Sequence, residues 1–398
     1  MRYKLFLFDE YFGDLFVGST GGRETLSFSF SDEYLERRHE IAIDPELEFF
    51  SGRQFSADVF GFINDLMPDR FGKALSREKE RALAEIEGRP PKKLSTIDYV
   101  LGVNDLTRMG AIRIQDDRGV FVCDDKDNAI PPYLYLRDIE HASLDYEVNG
   151  CFRSDEYRRL LFPGSSLGGA RPKANIFYND ELWMAKFPSK NDAYDVEAWE
   201  KLTYDLARLC NINVCETRLE TYSKVGSTLL LKRFDREGNK RIHYLSFMTV
   251  LGARDGDSGE YSYLDLASYL RSSCDDVHEN LAELYRRLVF TFLVNNTDNH
   301  LRNHGLLFDG KRINLPPMFD VNPSFDVGEF ALPLTNAKTS KSTIIEEGRY
   351  YGLDKKDALI FYESIAATIA DNYLNLAKKY KVRNAEASLF GQILNIRK

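Results

Sequence analysis

The sequence predicts an α+β protein in which an accessory N-terminal α/β unit is followed by two lobes. Three observations lead to this fold class. Apolar and polar positions alternate in short pieces from Tyr3 to about Phe50, as they do in half-buried strands. A compact order of strand, turn, strand and helix occupies residues 174–209. Beyond residue 236 the periodicity is mostly helical, most clearly over residues 281–292.

Composition limits the classes of protein to which the chain can belong. The 398 residues are 43% hydrophobic and 29% charged, which is enough for two or three packed units. The formal net charge of -9 opposes the phosphate attraction on which a dedicated nucleic-acid binder relies, so we expect any DNA contact to be indirect. The five cysteines form no CxxC pair, and no signal peptide or membrane-spanning run is recognised. We therefore expect a cytoplasmic protein without a membrane partner.

The predicted units follow changes in the sequence pattern. We predict an accessory subdomain over residues 1–125, a small nucleotide-binding lobe over residues 145–235 and an α-helical lobe over residues 236–398. Within the first unit, strand alternation gives way to helical spacing over residues 58–101.

The middle of the chain carries a lysine on a predicted hairpin. Two strands flank the Asn179-Asp180 turn, a dipeptide that closes tight hairpins, and Lys186 lies near the end of the second strand. The helix that follows carries Glu197 and Glu200. Either carboxylate could pair with the lysine.

A polar segment follows the apolar helix of the last unit. Asp298 and Asn303 have the D-x4-N spacing of the protein-kinase catalytic loop, in which Asp orients the acceptor hydroxyl and Asn holds magnesium. Asp320 follows an intervening hairpin, as the DFG aspartate does. Phosphoryl transfer requires a positioned nucleophile, Mg²⁺ and a cation on the phosphates. With Lys186, these residues predict an ATP- and Mg²⁺-dependent kinase with a protein-kinase-like two-lobed fold.

Structural interpretations of the same residues remain open. Asp298 and Asn303 could cap exposed amides at a helix end, and Asp320 could be an ordinary turn residue. His300 and His304 have helical spacing, but no H-E-x-x-H pattern accompanies them, so we interpret them as scaffolding of the loop.

Several segments together form a recognisable set of motifs. They are Ser166–Lys173 (S-x-x-G-A-x-x-K), Arg233–Arg236 (R-F-D-R), Thr297–Asn303 (T/G-D-x-H-x-x-N), Phe319-Asp320, Leu66–Gly72 (similar to L-L-P-D/E-G) and Met109–Ala111. The set resembles the HipA-type serine/threonine kinases, which are toxins of bacterial toxin–antitoxin modules. The resemblance spans most of the chain.

The resemblance implies a role for each motif. Residues placed at the nucleotide are Gly168, Gly169, Ala170, Lys186, Glu200, Lys232, Arg233, Phe234 and His300. Asp298 would be the catalytic base or orient the acceptor, while Asn303 and Asp320 would bind magnesium. Ser166, or its neighbour Ser165, would be autophosphorylated, and the added charge would draw the glycine loop towards basic groups.

The resemblance also implies partners. The substrate would be a protein, such as an aminoacyl-tRNA synthetase, and a HipB-like helix-turn-helix antitoxin would bring the chain to DNA. Two departures leave the nucleotide geometry open: Lys232 replaces the Glu of the best-known members, and Tyr-Leu-Ser-Phe rather than Gln-Glu-Asp-Phe follows His243.

Three other functions compete with a protein kinase. The chain could be a catalytically silent ATP-binding regulator that acts as a corepressor with an antitoxin. It could phosphorylate a lipid or small molecule, since kinase-like folds share this apparatus. A metal-dependent hydrolase using Asp298 and Asp320 would need neither Lys186 nor the glycine loop.

Overall fold

The helices and strands are those of a computed structural model. It describes residues 1–37, 43–56, 58–124, 130–150, 171–326 and 328–397. The strands are β1 (Arg2–Leu7), β2 (Glu10–Thr20), β3 (Arg23–Phe30), β4 (Gln54–Phe55), β5 (Ile112–Gln115), β6 (Lys173–Tyr178), β7 (Glu181–Lys186), β8 (Thr217–Glu220), β9 (Thr228–Lys232), β10 (Arg236–Glu237), β11 (Lys240–Arg241), β12 (His243–Ser246), β13 (Gly305–Phe308) and β14 (Ile313–Asn314).

Most of the helical residues in the described part of the chain lie in its second half. The α-helices of the described residues are α1 (Asp32–Glu36), α2 (Gly61–Leu66), α3 (Arg70–Ile86), α4 (Thr96–Gly102), α5 (Leu136–Asn149), α6 (Val196–Leu209), α7 (Phe247–Val250), α8 (Tyr263–Ser273), α9 (Val277–Val294), α10 (Lys341–Glu347), α11 (Lys355–Lys379) and α12 (Asn384–Arg397). Short 3-10 turns lie at Tyr133–Tyr135, Asp257–Glu260, Leu301–Asn303 and Gly348–Tyr351.

The N-terminal unit is built on a five-stranded antiparallel sheet with the order β4-β3-β2-β1-β5. The alternating pattern of β1 to β3 buries one face, where Phe12, Phe28 and Phe62 form part of a separate core. Strand β5 pairs with β1 from Lys4↔Gln115 to Leu7↔Ile112. That pairing joins segments far apart in sequence and was not predicted.

The small lobe contains the predicted hairpin within a four-stranded sheet of order β6-β7-β9-β8. Asn179 and Asp180 have φ angles of 51° and 60°, the left-handed conformation that a type I′ turn requires. Helix α6 packs on the sheet and begins where the Asp195 side chain accepts a hydrogen bond from the Ala198 N–H. Its apolar positions are buried, including Trp199, Leu202 and Leu206.

The large lobe is mainly helical, and the predicted fold class is confirmed. Most residues of helix α9 are buried, and its C-cap residue, Asn295, adopts φ 58°. A three-stranded sheet of order β12-β13-β14 lies beside the helices, whereas the sequence had indicated only the hairpin of its last two strands. None of the helices in the described residues has the length and apolar character of a membrane span. The predicted domain boundaries stay predictions.

Candidate active site

Lys186 lies at the end of β7 with its side chain only 5% exposed. Its Nζ donates to Glu200 Oε1 at 2.7 Å and to Asp320 Oδ1 at 2.6 Å. Burial lowers the pKa of the ammonium, but the charges of Asp320 and Glu200 outweigh it and raise the pKa above its ordinary value. The lysine is therefore a fixed cation held between a small-lobe helix and a large-lobe loop.

The choice between the two glutamates of α6 is resolved by their partners. Glu197 lies one turn before Glu200, and its Oε1 accepts from Arg171 Nε and Nη2 at 3.1 and 2.7 Å. Arg171 also donates to both carboxylate oxygens of Asp192, at 2.6 and 2.7 Å. Burial raises the pKa of Glu197 to about 8, although Arg171 opposes this shift. Glu200, not Glu197, pairs with the lysine.

Asp320 is held from its backbone as well as its side chain. It adopts φ 56°, and its N–H donates to Tyr204 Oη at 2.9 Å. Burial by itself would raise the pKa of its carboxyl. The charge and hydrogen bond of Lys186 have the larger effect, so the pKa lies below its ordinary value. The carboxylate is therefore ionised at neutral pH and available to a cation.

The loop from Asp298 to Asn303 presents its first residue to solvent and buries its last. The Asn303 Nδ2 donates to the backbone oxygen of Asp298 at 3.2 Å. Between them, Asn299 Nδ2 donates to the buried Tyr263 Oη at 2.6 Å. These contacts fix the backbone and leave the Asp298 carboxylate exposed, where a substrate hydroxyl could reach it.

The two loop histidines differ in environment. His304 is buried with its ring centroid 5.1 Å from that of Tyr263, and burial lowers the pKa of its imidazole to about 3. It is neutral and structural, in agreement with its interpretation as scaffolding. His300 is half-buried, and within the described chain its Nδ1 is buried without a hydrogen-bond partner, as is Asn322 Oδ1 beside Asp320.

A cleft between the lobes ends at Lys186 and Asp320, and about 400 Å³ in and around it, open solvent included, is free of protein atoms. Its lining residues are Met184, Lys186, Cys215, Leu231, Lys232, Arg233, Phe234, Phe319 and Asp320. The Phe234 and Phe319 rings form one wall, with centroids 5.1 Å apart. An apolar slot with a charged end suits a ligand that is flat at one end and anionic at the other.

Two residues of the site carry oxygen donors of the kind that magnesium binds. Asp320 and Asn303 offer a carboxylate and an amide, the hard oxygen ligands that Mg²⁺ prefers. Among the residues that the structure describes, no group of three or more His, Cys, Asp or Glu could hold a metal ion. Mg²⁺ commonly completes its shell with water and substrate phosphates, so two protein ligands are sufficient.

Arg233 lines the cleft, but the donors of its guanidinium are engaged by other groups of the protein. Its Nε and Nη2 donate to Asp235 at 2.7 Å, and its Nη1 donates to Thr107 O at 3.0 Å and Asn175 Oδ1 at 3.1 Å. Asp235 Oδ2 also accepts from the Gly110 N–H at 2.8 Å. This buried network joins the hinge to the accessory unit, so a nucleotide contact of Arg233, as predicted, would have to come from its backbone.

Lys232 points to a neighbouring strand. Its Nζ donates to Glu181 Oε1 at 2.5 Å, across the β7–β9 pair. Lys232 is therefore a cation neutralised by a carboxylate of this chain.

Sequence reasoning missed the pair between Lys173 and Asp69. Lys173 Nζ donates to Asp69 Oδ2 at 2.6 Å, and both side chains are buried. Lys173 is the direct cross-strand neighbour of Lys186. Lys173 ends the Ser166–Lys173 motif and Asp69 lies in the Leu66–Gly72 motif, but no pattern in the sequence indicates that the two motifs meet.

The glycine-loop predictions concern residues outside the described part of the chain. These are Ser165, Ser166, Gly168, Gly169 and Ala170.

Comparison with known proteins places the chain among kinase-like relatives. The family model described as "HipA-like C-terminal domain" matches residues 165–379. A Sinorhizobium fredii protein named "Putative kinase Y4dM" is 26% identical over 366 residues, which cover 83% of this chain and 80% of that protein. A Haemophilus influenzae protein named "Putative kinase" is 24% identical over 224 residues, covering 48% of this chain and 65% of the relative.

A solved structure has the same overall fold. It is a chain of the complex described as the Shewanella oneidensis MR-1 toxin–antitoxin system HipA, HipB and its operator DNA. The TM-score is 0.69 at 17% sequence identity, and the superposition covers 99% of this chain and 95% of that one. At this identity the likeness concerns the fold.

Proposed function

Because the chain belongs to the HipA-like C-terminal domain family, we propose that it is an ATP- and Mg²⁺-dependent serine/threonine protein kinase. The observation that carries the proposal is the Nζ of Lys186, held at 2.7 and 2.6 Å from Glu200 and Asp320 at the charged end of an apolar cleft. A hydrolase would not need this buried cation. Phosphoryl transfer requires one, together with oxygen ligands for magnesium.

Each residue then has a defined task. Lys186 would contact the nucleotide phosphates, with Glu200 holding it in place, and Asn303 and Asp320 would hold the metal. Bound Mg²⁺ neutralises charge on the β- and γ-phosphates. Asp298 would orient the acceptor hydroxyl and take its proton as the new phosphate ester forms and the bond to ADP breaks. Its exposure suits contact with another protein.

The adenine would lie between the rings of Phe234 and Phe319 and the aliphatic side chains of Met184 and Leu231. The hinge would contact it through backbone groups, because the side chains of Lys232 and Arg233 are engaged with Glu181 and Asp235. A backbone-mediated contact tolerates the change from Glu to Lys at position 232.

The proposed acceptors are a protein of translation, such as an aminoacyl-tRNA synthetase, and a serine of the glycine loop, Ser166 or Ser165. The proposed partner is a HipB-like antitoxin with a helix-turn-helix, through which the chain would reach DNA. The shared fold with a chain of a HipA, HipB and operator DNA complex supports this partner. The net charge of -9 supports DNA contact through a partner.

The test separates nucleotide binding from turnover. Calorimetric titration with ATP and Mg²⁺ should give binding to the wild type, at least tenfold weaker binding to Lys186→Met, and loss of the Mg²⁺ requirement for binding in Asp320→Asn. Lys190→Met is the matched control, because Lys190 is an exposed lysine close to Lys186 in sequence.

Two outcomes would argue against the proposal. Absence of ATP binding by the wild type would remove its basis. Binding without phosphate transfer to any protein would favour the silent ATP-binding regulator instead.

A further inference from the structure

Helix α12 contacts the helix that carries Glu200. Near its start, Glu386 Oε2 accepts a hydrogen bond from Trp199 Nε1 at 3.0 Å. The ring centroids of Trp199 and Phe390 are 5.4 Å apart. Trp199 immediately precedes Glu200 and is fully buried. One end of α12 thus packs behind the partner of Lys186.

The other end of α12 reaches the start of the catalytic loop. Arg397 is 9% exposed and donates through Nη2 to the Asn295 Oδ1. Its guanidinium lies 4.5 Å from the ring centroid of Phe292 and 5.0 Å from that of Phe330. Tyr362 Oη donates to the Arg397 backbone oxygen. A side chain held from these directions is fixed in place.

Asn295 joins the two loops of the proposed active site. It ends α9 in the left-handed conformation, three residues before Asp298. Its Nδ2 donates to the backbone oxygens of Ser324 and Asp326 at 2.7 and 3.0 Å, and its own backbone oxygen accepts from the Ser324 N–H at 2.9 Å. Ser324 lies four residues after Asp320. The Asn295 amide therefore ties the catalytic loop to the metal-binding loop.

Arg397 and the two carbonyl oxygens together determine which way that amide points. A carboxamide has an acceptor end and a donor end, and the guanidinium offers only donors. The contact with the guanidinium places the Asn295 Oδ1 towards α12. The Asn295 Nδ2 is then left to donate to the carbonyl oxygens of Ser324 and Asp326. A reversed amide would place its oxygen against those carbonyl oxygens, which would be unfavourable.

We propose that Arg397 is a positioning residue for phosphoryl transfer, which acts through Asn295 to fix the catalytic loop relative to the Asp320 loop. This inference rests on the proposed kinase function. Arg397 does not line the nucleotide cleft, so its loss changes the chemical step more than nucleotide binding. The side chain works as a donor rather than as a general cation, so lysine replaces it in part.

The first test compares kinetic constants. Arg397→Met retains an unbranched chain between the rings and removes the donor, and we expect kcat to fall about tenfold to a hundredfold with KM for ATP changed less than about twofold. Arg397→Lys should show a decrease in log kcat no more than half as large as that of Arg397→Met. Asn395→Ala, an exposed position on the same helix, is the control and should keep wild-type kcat.

A double-mutant cycle tests the route through Asn295. Asn295→Gly removes the amide and keeps the left-handed backbone at no steric cost. In that background Arg397→Met should change kcat less than about twofold, because the group on which it acts is absent. An equal loss of kcat in both backgrounds overturns the inference, as does an Arg397→Met variant with wild-type kcat.

Amide hydrogen exchange gives a readout that does not depend on activity. In folded Arg397→Lys and Arg397→Met proteins, exchange should quicken in residues 296–303 and 321–326 and remain unchanged in β6 and β7. Unchanged exchange in both loops overturns the inference. If the wild type transfers no phosphate while the exchange pattern appears as expected, the proposed function fails and the positioning contact stands.

Discussion

The Nζ of Lys186 and the Oδ1 of Asp320 are 2.6 Å apart, although 134 positions separate the two residues in the chain. This ion pair joins the last residue of a small-lobe strand to a loop of the large lobe. Glu200 holds the other side of the ammonium at 2.7 Å. Since Asp320 is also the proposed magnesium ligand, bound nucleotide phosphates would compete with it for the lysine.

Removal of this cation should destabilise the protein in a pH-dependent way. Lys186→Met leaves the buried Glu200 and the half-buried Asp320 without their counter-ion, so we expect the free energy of unfolding to fall by about 3–5 kcal/mol at pH 7. In the wild type the pKa of Asp320 is lowered. The contribution of the Asp320 carboxylate to the free energy of unfolding is therefore complete above the unfolded pKa of about 3.9. It is lost as the pH falls through the lower pKa of the folded state.

The variant should show the opposite trend, because protonation relieves the repulsion between its two carboxylates as the pH falls. Urea unfolding at pH 7 and pH 5 measures the difference, with Lys190→Met as control. Parallel pH profiles for wild type and Lys186→Met would rule out this account of the pair.

The two glutamates of α6 should respond differently to the same substitution. Glu200→Gln weakens the hold on Lys186 and should lower kcat/KM about tenfold to a hundredfold. Glu197→Gln leaves Arg171 with both oxygens of Asp192, so its effect should be less than about threefold. Steady-state kinetics on one acceptor protein measures both. A larger loss for Glu197→Gln would reverse the assignment.

Asp235 should be required for stability rather than for chemistry. Its buried carboxylate accepts hydrogen bonds from Arg233, Arg236 and the Gly110 N–H. Asp235→Asn would leave two buried guanidinium groups without their anion, at a cost of about 3–5 kcal/mol in chemical denaturation. Asp371→Asn, at an exposed helical position, should change the unfolding free energy by less than about 0.5 kcal/mol. Equal effects would contradict the structural role.

Two buried histidines predict a loss of stability in mild acid. Burial lowers the pKa of His243 and of His304 to about 3, so the unfolded chain binds more protons below its own pKa of about 6.5. The stabilisation is complete above that pH and is lost towards pH 3, at up to about 1.4 kcal/mol per pH unit for each histidine.

Substitution of one histidine should halve this contribution. His304→Gln should flatten the pH dependence of the unfolding free energy between pH 6 and 4, and His278→Gln, at an exposed position, should leave it unchanged. The same slope in His304→Gln as in the wild type would show that another group is responsible.

Local patterns predicted the elements that hold the site. The Asn179-Asp180 turn places Lys186 on the second strand of a hairpin, and the apolar stripe of α9 ends just before Asp298, as expected. Both features depend on residues that are neighbours in sequence. Hydrophobic period and turn chemistry determine such features, so they can be deduced from one chain.

Contacts across long separations were not predictable in this way. Lys173 meets Asp69 over 104 positions, and Arg397 meets Asn295 over 102. The choice between Glu197 and Glu200 depends on how α6 is rotated against the β7 strand, which one helical turn of sequence does not specify. The contacts of the Arg233 side chain with Asp235 and with the Thr107 backbone oxygen were likewise not indicated by the sequence.

The most direct test of the central claim is the intact mass of the protein after incubation with ATP and Mg²⁺, followed by mapping of the modified site. The exposed Asp298 is proposed to act only on the acceptor hydroxyl, so Asp298→Asn should bind ATP and Mg²⁺ as the wild type does and gain no phosphate. We expect the wild type alone to gain phosphate on Ser166 or Ser165. Equal phosphate gain by Asp298→Asn, or none by a wild type that binds ATP, would contradict the kinase assignment.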